Sequence, residues 1–358
     1  MHFAISCGGT GGHVYPGLAT ALELRRRGHR VTLWLTGRPS EAAAKAEWDG
    51  PVVEIPVCVP SLANLPKALR LWPRAILAAR RIMRADRPDA LLAMGAYTTL
   101  PPYLAARANR VPVVLHEANV IPGEAVRRLS RGAAAVAAGF EETRFHLPRV
   151  PLEIVGLPLR PALRDAAQTA RSLPDPDPIT SILVLGGSLG AHALNQVVPP
   201  VLARLAAAGL PLHVVHLTGR DDEPAVRSAY AAHSLPADVR AYCPDMAPLF
   251  ARAHFAICRA GASTAAELSL FGIPALLVPF PAAAKDHQTA NARALEKAGV
   301  ADWIPETSLT PDWLEAYLRR NIAAPARLRR MRAAALRRGA VDSAALLADL
   351  LEKTARSR

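Results

Sequence analysis

The stretch CRAGASTAAELSLFGIPALLVP, Cys258 to Pro279, followed by KDHQTAN, Lys285 to Asn291, organises the reading of the whole chain. His254 to Cys258 reads as the end of a short buried strand, and Gly261 as a tight turn. The helix expected from Ser263 closes before Gly272 and Pro274. A strand, a small-residue turn and a helix N-terminus present unpaired backbone N–H groups and the positive end of the helix dipole, which suits a phosphate or pyrophosphate. Ser263 and Thr264 add hydroxyls there. Glu267, about one turn further in, offers two oxygens to a vicinal diol such as a ribose. The same residues also read as a capping box, with Thr264 at the N-cap and Glu267 at the third helical position.

Working outward, His2 to Cys7 is a short apolar strand, GGTGGH from Gly8 to His13 is a loop, and Pro16 to Arg27 is a helix stopped by Gly28. Val31 to Leu35 is the next strand. A second copy of this βαβ opening starts with ILVL at Ile182 and the loop Gly186-Gly187-Ser188-Leu189-Gly190. Two Rossmann-like α/β domains facing across a cleft are therefore expected. The expected limits are 1–157 for the first domain, 158–178 for a proline-rich linker and 179–339 for the second, with a helix at about 340–358 packing back on the first. A dinucleotide fold is a poor match: the third glycine of G-x-G-x-x-G would fall at Val14, and the second strand ends Trp34-Leu35-Thr36-Gly37 without an acidic residue.

At 358 residues the chain has room for two domains, and its net charge of +13 lies mostly in the first 160 residues. The arginines are scattered over helix faces with no nucleic-acid module, so an anionic membrane surface is the expected basic-patch partner and nucleic acid is not. Cys7, Cys58, Cys243 and Cys258 have neither metal nor disulfide spacing, as expected in a reducing cytoplasm. The chain enters its first strand at once, leaving no room for a signal peptide, and no apolar run is long enough to span a bilayer. Asp175-Pro176-Asp177 imitates a D-x-D metal motif but sits between prolines in the linker, where a solvated turn is expected. No cofactor and no metal requirement are expected.

Leu62 to Arg84 interleaves Leu69, Trp72, Ile76 and Leu77 with Arg70, Arg74, Arg80, Arg81 and Arg84. Such a basic amphipathic face binds anionic lipid headgroups while its apolar side enters the interface; the alternative is an ordinary domain helix with a solvated arginine face.

Several runs together resemble the GT-B glycosyltransferases, and in detail the MurG family, the bacterial enzymes that place N-acetylglucosamine on lipid I in peptidoglycan synthesis. These are GGTGGHVYPGLA from Gly8 to Ala19, Met94-Gly95-Ala96-Tyr97, VVLHEAN from Val113 to Asn119, Pro158-Leu159-Arg160, GGSLGA from Gly186 to Ala191, Tyr242 to Met246, and the Cys258–Asn291 region. The resemblance covers nearly the whole chain and implies an inverting, UDP-N-acetylglucosamine-dependent hexosyltransferase of cell-wall synthesis. It would work peripherally on the cytoplasmic face of the cell membrane, in the company of other cell-wall synthesis proteins.

The resemblance also implies site residues. The donor would meet Arg160, Ser188, Cys243, Met246, Arg259, Gly261, Ala262, Ser263, Thr264, Glu267, Gln288 and Asn291. Gln288 and Asn291 are three residues apart on a helix and so are expected to turn both amides to the sugar. The acceptor pyrophosphate would meet Gly9, Thr10, Gly11, Gly12, His13, Tyr97 and Asn119. His13 is the candidate base, with Glu117 in reserve. The chain departs from the family pattern at Leu100, at Leu157 and in the loop 56–63, all near the acceptor side. Those departures leave room for another glycolipid or a small aglycone as acceptor. A UDP-N-acetylglucosamine 2-epimerase-like isomerase and a catalytically silent binding subunit are the alternatives from other classes.

Overall fold

The strand from His2 to Ser6 (β1) is buried along its whole length because it lies at the middle of a sheet covered on both faces. The computed structural model describes residues 1–57, 65–171, 180–187, 190–322 and 324–357. Cys58, most of the 56–63 loop, Asp175-Pro176-Asp177 with the rest of the linker after 171, Ser188 and the side chain of Leu69 lie outside the described residues.

Two compact units divide the chain: Met1–Pro161 with Asp342–Arg358, and Ala162–Val341. The strands of the first are β1, β2 (Arg30–Leu35), β3 (Val52–Glu54), β4 (Ala90–Ala93), β5 (Val113–Glu117), β6 (Ala135–Ala138) and β7 (Leu152–Ile154). They pair in parallel in the order β3-β2-β1-β4-β5-β6-β7. Its helices are α1 (Gly11–Arg26), α2 (Ala42–Ala46), α3 (Leu65–Ala85), α4 (Leu100–Ala108) and α5 (Glu124–Leu129). α6 (Pro161–Arg171) leads into the second unit.

The second unit has β8 (Ser181–Leu185), β9 (His213–Leu217), β10 (Ala237–Arg240), β11 (Phe255–Cys258), β12 (Ala275–Leu277) and β13 (Ala301–Trp303). Their order is β10-β9-β8-β11-β12-β13, again parallel. Its helices are α7 (His192–Ala207), α8 (Glu223–Ala232), α9 (Ala247–Arg252), α10 (Ala262–Phe271), α11 (His287–Lys297), α12 (Pro311–Ile322) and α13 (Pro325–Gly339). The last helix, α14 (Ser343–Arg356), belongs to the first unit.

The period of two along β1 builds the first core. Phe3 and Ile5 point to one face, where they meet Leu18 and Leu24 of α1 and Leu347, Leu350 and Leu351 of α14. Ala4 points to the other, against Ala75, Ala79 and Met83 of α3 and Tyr103 of α4. Strands buried on both faces explain the continuous apolar runs of the sequence. In the second unit Ile182 and Val184 of β8, Val214 of β9 and Ile257 of β11 pack with Leu194, Val198 and Leu202 of α7 and Leu314 and Leu318 of α12. Each parallel sheet thereby sends the loops after its central strands to one edge, where parallel α/β sheets bind ligands.

Candidate active site

In the first unit the loop after β1 is held by a carboxylate that the sequence reading did not single out. Glu41 is buried. Its Oε1 accepts the Gly9 N–H at 2.8 Å and the Thr36 hydroxyl at 2.5 Å, and its Oε2 accepts the Thr36 and Gly37 N–H groups, both at 2.9 Å. Among the described residues no cation pairs with it, so backbone N–H groups and the Thr36 hydroxyl meet its charge. The Gly9 N–H, expected to approach a pyrophosphate, is thus committed to Glu41, and Gly9 contributes instead its φ of +138°, which side-chain-bearing residues rarely adopt. Ser40 Oγ donates to the Gly9 carbonyl at 2.9 Å, and the Thr98 hydroxyl donates to the Gly8 carbonyl. The only advance signal was local: Pro39-Ser40-Glu41 opens a short helical turn, with Glu41 at its third position.

Thr10 caps α1 in an extended conformation with no side-chain cap bond, so Gly11, Gly12 and His13 form the first turn of that helix. His13 is half-buried, its Nδ1 3.1 Å from the Thr10 hydroxyl. Burial lowers its pKa below the ordinary 6.5, so the imidazole is neutral at pH 7. Tyr97 is about half exposed, in the turn after β4. Glu117, the reserve base, is buried at the end of β5, where Oε1 accepts the Asn119 N–H at 2.9 Å and Oε2 accepts the Gly123 N–H at 2.8 Å. Both of its oxygens therefore shape the 118–123 turn. Asn119 Nδ2 also reaches Glu117 Oε1, at 3.3 Å. Neighbouring His116 is buried with its Nε2 2.9 Å from the Gly156 carbonyl, and burial depresses its pKa to about 4. Arg160 lies in this unit, over the Tyr15 ring at 4.4 Å and 3.3 Å from Glu47.

Glu41→Gln tests the loop-holding role. An amide must turn its NH2 toward N–H donors it cannot satisfy, and a buried mismatch of this kind costs about 1–3 kcal/mol. The expected result is a fall in kcat/KM for the acceptor of roughly tenfold or more, with donor KM unchanged. Wild-type acceptor kinetics would remove Glu41 from the loop's function.

In the second unit the N-cap of α10 is Gly261, with no side-chain cap bond. This rules out the capping box on Thr264 and Glu267: Thr264 stands inside the helix, at its third position, and Glu267 a turn further on. Ala262, Ser263 and Thr264 form the first turn, each half-buried, as is Glu267. Behind them Arg259 is buried and engaged: Nη1 donates to the Val278 carbonyl at 3.1 Å, Nη2 pairs with Glu306 at 2.5 Å, and the guanidinium lies 5.4 Å from the Phe280 ring.

Gln288 and Asn291 have different partners in this unit. Gln288 Oε1 accepts the Phe280 N–H at 2.9 Å, whereas Asn291 is fully buried and its Nδ2 donates to the Ala260 carbonyl at 3.1 Å. The helix spacing is as expected, and the chain enters α11 through Lys285 and Asp286, both left-handed. Cys243 is buried with its thiol donating to the Asp245 carbonyl at 3.0 Å, Met246 caps α9, and Tyr242 is largely exposed. Among the described residues no group of three or more His, Cys, Asp or Glu is arranged to hold a metal ion.

Residues 3–138 match the glycosyltransferase family 28 N-terminal domain and residues 181–348 its C-terminal domain. The UDP-N-acetylglucosamine--N-acetylmuramyl-(pentapeptide) pyrophosphoryl-undecaprenol N-acetylglucosamine transferase of Bordetella pertussis is 42% identical over 361 residues, covering 98% of this chain and 97% of that protein. The chain belongs to the MurG family. The crystal structure of Acinetobacter baumannii MurG matches it with a TM-score of 0.80 at 30% identity, over 98% of this chain and 99% of that one. Its two parallel-sheet units are those of GT-B glycosyltransferases. A UDP-GlcNAc 2-epimerase from Neisseria meningitidis matches with a TM-score of 0.74 at 17% identity, over 99% of this chain and all of that one; this likeness shows the fold alone.

Proposed function

We propose that this chain transfers N-acetylglucosamine from UDP-N-acetylglucosamine to undecaprenyl-pyrophosphoryl-N-acetylmuramyl-pentapeptide, with inversion at the sugar C1. The observation that carries the reading is the N-terminus of α10, with Gly261 at its N-cap and Glu267 one turn inside, in a MurG-family chain. The first-turn N–H groups and the Ser263 and Thr264 hydroxyls take the donor diphosphate, and Glu267 takes the ribose diol. Gln288 meets the sugar, while Arg259 and Asn291 hold the turn that presents it. The backbone around Cys243 and Met246 meets the uracil.

His13 is the base. The acceptor hydroxyl loses its proton to the neutral imidazole as its oxygen forms the bond to C1, the C1–O bond to the diphosphate breaks, and UDP leaves with the electron pair. Glu117 and Asn119 keep the neighbouring turn in shape, and Thr10, Gly11, Gly12 and Tyr97 meet the acceptor. The direct test follows UDP release by the full chain: it should require the lipid acceptor and proceed with inversion. Release unaffected by the acceptor would contradict the reading.

The membrane contact is α3. No described helix is long and apolar enough to cross a membrane. On α3, Arg70, Arg74, Arg80, Arg81 and Arg84 are exposed, and none is in an ion pair among the described residues. Trp72 and Ile76 are half-buried, and the large apolar side chains exposed among the arginines are Leu77 and Ile82. This face docks on the anionic cytoplasmic leaflet, each arginine near the surface contributing about 1 kcal/mol. Replacing Arg70, Arg74 and Arg81 with Glu should lower partitioning onto phosphatidylglycerol vesicles by at least tenfold at low salt, and wild-type binding should weaken as salt rises. Unchanged partitioning would leave α3 an ordinary solvated helix.

A further inference from the structure

In the second unit a chain of buried polar groups runs from the core to the glycine loop after β8. His216 of β9 is fully buried, with Nδ1 3.0 Å from the Tyr230 hydroxyl and Nε2 2.9 Å from Asn195 Oδ1. The other end of the amide fixes the direction of these bonds. Asn195 Nδ2 donates to the Thr218 carbonyl at 2.8 Å and to Asp222 Oδ2 at 2.7 Å, so Oδ1 must accept. His216 therefore carries its proton on Nε2, and its Nδ1 accepts from Tyr230. Asp222 also takes Nδ1 of His192, the first residue of α7, at 2.9 Å.

The Thr218 carbonyl has a second neighbour. Gly190, at φ +82°, lies so close that a Cβ there would stand 1.9 Å from the Thr218 oxygen. Asn195 thus grips the group against which the end of the Gly186–Ala191 loop is seated, and Asp222 ties the same turn to the start of α7. Apolar residues would fill this space at lower desolvation cost, so a fully satisfied polar chain at this spot requires a reason beyond packing.

We propose that Asn195 and His216 are positioning residues for the donor diphosphate: they hold the Thr218–Asp222 turn against Gly190 and so keep Gly190 and the start of α7 in place for UDP. This rests on the reading of the second unit as the donor site. Neither side chain touches the donor; both act through Thr218 and Asp222.

The test is UDP titration of the full chain by calorimetry, alongside acceptor kinetics at saturating donor. Asn195→Leu and His216→Leu should each raise the UDP Kd about tenfold or more, because each strands buried polar partners at the loop. Acceptor KM should stay within about twofold. His216→Gln, which keeps a donor toward Asn195, should restore UDP affinity to within about threefold of wild type. Asp222→Ala, at a partly exposed position where the core is not opened, should move the Kd in the same direction by about three- to fivefold. Variants that melt earlier but bind UDP as wild type does would overturn the proposal and leave the chain purely structural. A wild-type chain that did not bind UDP would instead overturn the donor reading beneath it.

Discussion

His13→Ala should lower kcat by about 10²- to 10⁴-fold while donor KM changes little, the loss expected of a general base that acts only as the acceptor oxygen attacks. The geometry supports this assignment over Glu117. His13 sits in the first turn of α1 with its Nδ1 beside the Thr10 hydroxyl, whereas both oxygens of Glu117 are occupied by backbone N–H groups. The pH profile supplies an independent readout. Burial lowers the His13 pKa below 6.5, so the neutral, proton-accepting form persists below that value. The acid limb of wild-type kcat/KM should therefore fall below pH 6.5, and His13→Ala should abolish it. A variant in which acceptor KM rises while kcat survives would make His13 a pyrophosphate ligand, and wild-type turnover at saturating acceptor would remove it from the mechanism.

Glu267→Ala should weaken donor binding by about 2–3 kcal/mol, roughly 30- to 150-fold, because two charge-assisted acceptors for the ribose diol are lost. The position of the N-cap makes this a sharp experiment. With Gly261 capping α10, Glu267 is the sixth residue of the helix and not the third, where a capping-box carboxylate stands. Titration of UDP should show the loss, and titration of a ribose-free diphosphate should not. Equal affinity of mutant and wild type for UDP would contradict the ribose assignment.

The two βαβ openings were legible because their signals are local. Apolar runs of five residues, glycine-rich loops and a helical period after each can be read without tertiary information, and β1 with α1 and β8 with α7 appear where those signals stand. The same local logic misplaced helix starts: α1, expected from Pro16 after a loop to His13, begins at Gly11. Thr264-x-x-Glu267 satisfies the capping-box pattern, but β11 ends at Cys258 and the chain turns at Gly261, so the helix begins three residues earlier than that pattern implies. Glu41 and Asn195 were beyond reach for a different reason. Each is joined to its loop across strands: Glu41 binds the Gly9 N–H from 32 residues away, and Asn195 binds Thr218 from 23. No period or spacing encodes such a pairing. Gln288 and Asn291 show the same limit, since their separation on α11 was evident but the Ala260 carbonyl that claims Asn291 lies 31 residues away.

The most direct test of the account supplies the full chain with UDP-N-acetylglucosamine labelled in the sugar and with the undecaprenyl-pyrophosphoryl-N-acetylmuramyl-pentapeptide acceptor, and follows the label. The account predicts that label enters the lipid fraction as an N-acetylglucosaminyl-N-acetylmuramyl disaccharide, in step with UDP release. Label that stayed in the aqueous phase, whether as unchanged donor or as the 2-epimer, would contradict it.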